Sequence, residues 1–117
     1  MYFLNQEFSS SQQIFGFTQI SQQVNLNHCL AVLLNEKGFT VPRLHHCMES
    51  KNYYLSIQSV YRYLTTEKPT SRFPPLDFVE IFGQVLEFSD TEQKLLVQLW
   101  HLCHCWRRHQ RFSNSNE

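Results

Sequence analysis

The chain has 117 residues, 42% of them hydrophobic and 15% aromatic, and its formal net charge is zero. That apolar content excludes a disordered chain and fits one domain with a modest core. The neutral total excludes reading a nucleic-acid partner from net charge, and three glycines weigh against strand-rich architectures.

Residues 1–24 are rich in Gln, Ser and Phe without a clear period. They read as an irregular N-terminal arm, poorly ordered or packed as a strap. "MYFLNQEFSSSQQIF" has no positive leader region and no long apolar run. Neither a signal peptide nor a contact with a membrane is expected, and the expected location is cytoplasmic. Cys29, Cys47, Cys103 and Cys105 are then expected as reduced thiols.

The helical domain is expected over residues 25–112, with 113–117 as a disordered tail. In "NLNHCLAVLLNEKG", Leu26, Cys29, Leu30, Leu33 and Leu34 recur at helical spacing. Asn25 caps this first helix and Gly38 stops it. "TVPRLHHCME" is a short second helix, with Thr40 as cap, Pro42 in the first turn, and Val41, Leu44 and Met48 on one face. "ESKNYYLS" connects it to a third helix predicted over 56–67, capped by Ser56. There Ile57, Val60 and Leu64 face inward, while Gln58, Arg62 and Thr65 face outward.

"PLDFVEIFGQVLEF" places Leu76, Val79, Phe82 (or Ile81), Val85 and Leu86 in phase for a fourth helix. "SDTE" is a capping box that opens the last helix, from Asp90 to about Arg108. Its predicted stripe is Leu95, Leu96, Leu99, Leu102, Cys103 and Trp106. Five helices with short connections define an all-α class.

Charge is arranged in blocks. From Lys37 to Arg72 there are six bases (Lys37, Arg43, Lys51, Arg62, Lys68, Arg72) against two acids (Glu49, Glu67). Residues 73–92 hold five acids and no base, and Lys94, Arg107, Arg108 and Arg111 follow. The first block coincides with the second and third helices, and a local basic block steers a phosphate backbone even in a neutral chain.

"LSIQSVYRYLTTEK" resembles the recognition-helix segment of the XRE, or lambda-repressor-like, helix-turn-helix family. The resemblance lies in Leu55-Ser56, the polar run Ile57-Gln58-Ser59, the aliphatic Val60 and the Arg62-Tyr63 pair. "LNHCLAVLLNEKGFTVPRL" is similar to the family's first helix and the start of its second. "FPPLDFVEIFGQVLEFSDTEQKLLVQLW" looks like its fourth helix and trailing fifth. Roughly Leu26 to Trp100 is covered, mostly through apolar spacing.

Two departures stand out. The family's tight turn between helices two and three usually contains glycine, whereas "ESKNYYL" has none and is about five residues longer. His45 stands where a small residue normally follows the leucine of helix two. The longer turn tilts the reading helix, adds Lys51 and Tyr53 as phosphate contacts, or removes DNA binding.

The resemblance implies a five-helix lambda-repressor-like domain that regulates transcription by reading the major groove of double-stranded DNA. It implies that Ile57, Gln58, Ser59 and Arg62 face base edges, since Gln suits adenine and Arg suits guanine. Arg43, Lys51, Tyr61 and Thr66 would touch the DNA backbone, which positions without specifying. It further implies a homodimer, with the helix carrying Trp100 and Trp106 as contact surface or as part of the monomer's own core.

The rival reading is a protein-interaction module on the same scaffold, an adaptor or an antitoxin-like partner, using "ESKNYYL" and the aromatic arm. A continuous positive face over the third helix favours DNA, and a neutral aromatic one favours protein. An enzyme is not expected, because no nucleophile motif, phosphate loop or framed acidic pair appears. No cofactor or metal is expected. Neighbours in His28-Cys29 and His45-His46-Cys47 diverge by roughly 100° on a helix, short of four converging ligands. In "HLCHCWRRHQR", Cys103 joins the apolar stripe, while His101, Cys105 and His109 share an exposed line. Its arginines suit a helix C-terminus or a phosphate.

Overall fold

Five helices follow one another, with no strand among the described residues: α1 (Leu26–Glu36), α2 (Val41–Ser50), α3 (Ile57–Leu64), α4 (Leu76–Val85) and α5 (Asp90–Ser115). The structure, a computed structural model, describes residues 25–115 and the side chains of residues 25–108. The N-terminal arm and residues 116–117 lie outside it. The all-α class stands, and no described helix is long and apolar enough to cross a membrane.

Four helices start at the residues their caps predict. The side chains of Asn25, Thr40 and Ser56 each accept a bond from the backbone N–H three residues on, which supplies an orphan donor of the first turn. Ser89 and Glu92 form a reciprocal capping box. The Glu92 N–H donates to Ser89 Oγ at 3.1 Å and the Ser89 N–H to Glu92 Oε1 at 2.9 Å. α4 starts after Pro75 with no side-chain cap, and Asp77 supplies the negative charge in its first turn.

Three helices end in the same way. Gly38 (φ 75°), Asn52 (φ 64°) and Glu87 (φ 59°) take the left-handed conformation just past the ends of α1, α2 and α4. In each case the next residue's N–H returns to the last turn: Phe39 to Leu34 O, Tyr53 to Met48 O, Phe88 to Gly83 O. These are Schellman ends. Asn52 ends α2 in a turn without glycine, because asparagine tolerates this conformation better than most residues.

α4 packs along α5, α2 packs on α3 and α4, and α1 packs on α3 and α5. The whole predicted α1 stripe is buried, with Leu44 and Met48 of α2 and Val60 and Leu64 of α3. Each such side chain contributes roughly 1.5–3 kcal/mol by leaving water. Gly83 leaves room for the Gln93 side-chain amide of α5, which a Cβ there would displace.

The structure corrects the predicted faces at several points. Ile57 sits at the rim of α3 and is 37% exposed, so Val60 and Leu64 alone form its buried face. Phe78, outside the predicted stripe, is fully buried between the Tyr63 ring (4.8 Å between centroids) and Phe82 (6.2 Å). α4 meets both α2 and α5, so its apolar stripe is wider than one helix contact needs. On α5 the buried line is Leu96, Leu99 and Cys103, and Leu102 is 55% exposed. Trp100 instead turns inward, and its indole N–H donates to the Pro74 carbonyl at 2.8 Å. α5 itself continues to Ser115, past the expected end near Arg108.

Candidate nucleic-acid interface

The outer face of α3 carries Ile57, Gln58, Tyr61 and Arg62, all exposed. Spacings of one, four and five residues put them on one side of the helix. Three of the four predicted base readers thus stand together. Ser59 is half-buried on the flank, where its Oγ accepts from the Ser56 hydroxyl at 3.0 Å. Tyr61, expected at the DNA backbone, shares the face of Ile57 and Gln58. α3 itself contains no acid.

The other predicted backbone contacts lie off α3 or beyond its end. Arg43 is exposed in the first turn of α2, its guanidinium 4.4 Å from the Phe39 ring centroid. Lys51 is exposed at the end of α2. Thr66 is exposed but lies beyond the helix, because α3 stops at Leu64 instead of Glu67.

The early stop has a physical cause. The Arg62 carbonyl accepts from the Arg72 N–H at 3.0 Å and from Asn27 Nδ2 at 3.2 Å. An α-helix continuing past Leu64 would have satisfied it from residue 66. Thr65 is extended, and its Oγ1 accepts from the Glu67 N–H at 3.2 Å, a local bond that competes with helix. Asn27 also donates to the Arg72 carbonyl at 2.8 Å. One buried amide on α1 therefore fixes both the end of α3 and the loop returning from it.

The other end is fixed across the long turn. His45 Nε2 lies 2.8 Å from the Leu55 carbonyl, and since a carbonyl only accepts, Nε2 carries the proton. The histidine's length lets its ring reach across the turn to Leu55. Tyr53, read as one of the phosphate contacts of the longer turn, faces the protein: its hydroxyl donates to Asp77 Oδ1 at 3.2 Å. Burial first, and then the Asp77 carboxylate, push its phenol above the ordinary range.

Asn27 and His45 carry this positioning and were not among the predicted site residues. Asn27 had a signal. It precedes Leu30 by three and Leu34 by seven residues, a polar residue on an apolar stripe, which marks a buried hydrogen-bonding group. The bond of His45 to Leu55 had no sequence signal beyond the unusual residue.

Beside the face of α3 lies an open groove of about 510 Å³. Ser59, Arg62, Arg72, Trp100, His104 and Arg107 line it with Phe73, and no carboxylate does. Among the described residues no carboxylate pairs with any of these three arginines.

The four cysteines are free thiols. Burial, with Cys103 nearby, pushes the Cys29 thiol up to about 11, and burial pushes Cys103 up to about 11, so neither is a ready nucleophile near neutrality. Among the described residues no three His, Cys, Asp or Glu side chains are grouped to hold a metal ion. His101 and Cys105 are exposed on α5, and the His109 side chain lies outside the described residues. Compared with known proteins, the chain matches no family model, no curated protein and no solved structure.

Proposed function

We propose that this protein is a sequence-specific, double-stranded-DNA-binding transcription regulator of the lambda-repressor-like helix-turn-helix type, with α3 entering the major groove. The observation that carries the reading is the exposed row Ile57, Gln58, Tyr61 and Arg62 on a short, acid-free helix braced at both ends. The major groove, about 12 Å wide, accepts one helix, and amide and guanidinium groups match adenine and guanine edges there. Bracing suits such a helix, because reading fails when the side chains drift by an ångström or so.

In this proposal Ile57, Gln58 and Arg62 meet base edges and Ser59 lies at the groove wall. Tyr61, Arg43, Lys51 and Thr66 touch phosphate or sugar. The protein works in the cytoplasm as a homodimer on two half-sites, since one such module covers a small interface. Trp100 is spent on its own chain, so a dimer contact through α5 falls to the face bearing the exposed Leu102.

A protein-interaction module is the second reading, and a specific observation favours it. Tyr54 (70% exposed) on the turn and Ile57 (37%) and Tyr61 (49%) on α3 are exposed large apolar side chains, and exposed aromatics suit protein interfaces. Titrating a random-sequence duplex into the full chain at low and moderate salt separates the two. Binding that falls steeply with salt supports DNA, because phosphate contacts release counterions. No binding at low salt sinks the DNA reading.

A further inference from the structure

α5 passes beside α3 at Trp100, His104 and Arg107, and Arg107 has no role in the reading so far. The groove between them is walled by Phe73, Pro74 and Trp100 and carries Arg62, Arg72 and Arg107. Two of these arginines are positioned without acids. The Arg72 guanidinium donates to the carbonyls of Pro69 (2.6 Å), Thr70 and Ser71, which pins it to its own loop. The Arg107 guanidinium lies over the Phe73 ring, 4.5 Å from its centroid. His104 stacks on Trp100 with centroids 4.6 Å apart and planes 9° from parallel.

Ring faces and carbonyls orient cations but leave their charge uncompensated. Like charges held together without a carboxylate repel unless an anion enters between them. Guanidinium forks match the oxygens of a phosphate, and the Ser59 hydroxyl, on α3 with Arg62, adds a neutral donor. Arg72 and Arg107 also line a neighbouring groove with Lys68 and Trp106, so the positive band extends beyond one pocket.

We propose that the groove between α3, the 65–75 loop and α5 is a phosphate-binding site, formed by Arg62, Arg72, Arg107, His104 and Ser59. Its ligand is the backbone phosphate flanking the bases that α3 reads, a source that rests on the DNA reading above. Arg62 belongs to both surfaces, so reading and clamping are joined through one side chain. α5 thereby contributes to binding through Arg107, outside the α2–α3 unit.

The test uses the full chain in a Trp106→Phe background, where Trp100 in the groove is the remaining tryptophan. Two ligands are titrated: a random-sequence duplex and inorganic pyrophosphate. Arg107→Gln removes one groove charge, and His104→Glu adds an opposing one, with thermal melts confirming that both fold. Arg107→Gln is expected to weaken duplex binding roughly tenfold on every sequence and to lower the salt slope by about one. His104→Glu is expected to weaken it further.

Duplex binding with unchanged affinity and slope in both variants overturns the groove and leaves the α3 reading standing. Absent duplex binding, a saturable pyrophosphate change in Trp100 emission that Arg107→Gln abolishes keeps the phosphate site and overturns its DNA source. No response to either ligand overturns both.

Discussion

Asn27, in the first turn of α1, donates its side-chain amide to the Arg72 carbonyl at 2.8 Å, 45 residues away along the chain. The same amide reaches the Arg62 carbonyl at 3.2 Å. Asn27 is almost fully buried, and since the Arg62 carbonyl also accepts from the Arg72 N–H, the Arg72 carbonyl is the one that relies on this amide most. Asn27→Ala removes the donor to the Arg72 carbonyl and one of two donors to the Arg62 carbonyl, which costs about 1–3 kcal/mol in denaturant unfolding. Asn27→Asp costs more, because it replaces the donor by a charge facing two carbonyl oxygens. A cost under about 0.5 kcal/mol for Asn27→Ala would show that the clamp does not hold the end of α3.

His45 braces the opposite end of α3. His45→Ala frees the Leu55 carbonyl and removes the side chain that spans the long turn. The expected loss is about 1–2 kcal/mol of stability, with faster amide exchange at the start of α3. Unchanged exchange at Ile57–Val60 would place the bracing of this end elsewhere.

Glu87 holds a left-handed backbone that glycine adopts without a steric penalty. Glu87→Gly is expected to raise stability by about 0.5–1 kcal/mol, the strain relief exceeding the added entropy of the unfolded chain. Gly38→Ala, in the same conformation after α1, is expected to lower it by about 1 kcal/mol. Equal effects of one sign at both positions would refute this account of the helix ends.

The buried thiols set an alkaline limit. Cys29 and Cys103 are pushed up to about 11 from an ordinary value of 9.0, Cys29 by burial and then by Cys103, Cys103 by burial. Between those values the unfolded chain has given up protons that the folded chain keeps, so raising the pH favours unfolding. The contribution is full below about pH 9 and lost as pH rises through about 11, on the order of 2 kcal/mol for each thiol. Melting in reductant from pH 8 to 11 should show this decline, and the Cys29→Ala/Cys103→Ala double variant should flatten it. A parallel decline in both proteins would assign it to other groups. Tyr53 acts in the same direction at higher pH, since its phenol is raised as well.

Much of this fold was legible because its signals are local. Asn25, Thr40, Ser56 and Ser89 announce helix starts, and Gly38 announces a stop. The Leu and Cys spacing of α1 fixed its buried face. What escaped depends on partners distant in sequence. α3 ends at Leu64 because Asn27 and Arg72 take the Arg62 carbonyl, and no window of sequence contains all three residues. Phe78 is buried by Tyr63 across a turn and a loop. The outward row Gln58 and Arg62 was readable from periodicity. The groove joining Arg62 to Arg107 was not, because it exists only once α5 folds back beside α3.

The central claim is that α3 reads bases through Ile57, Gln58 and Arg62. Selection of the full chain on a randomised duplex library, repeated with Arg62→Ala, tests it most directly. The account predicts an enriched short site in the parent. With Arg62→Ala it predicts lost preference at one position of that site, worth about 1–3 kcal/mol. A library that stays unenriched at low salt, or an Arg62→Ala protein that selects the same site with the same preference, would contradict it.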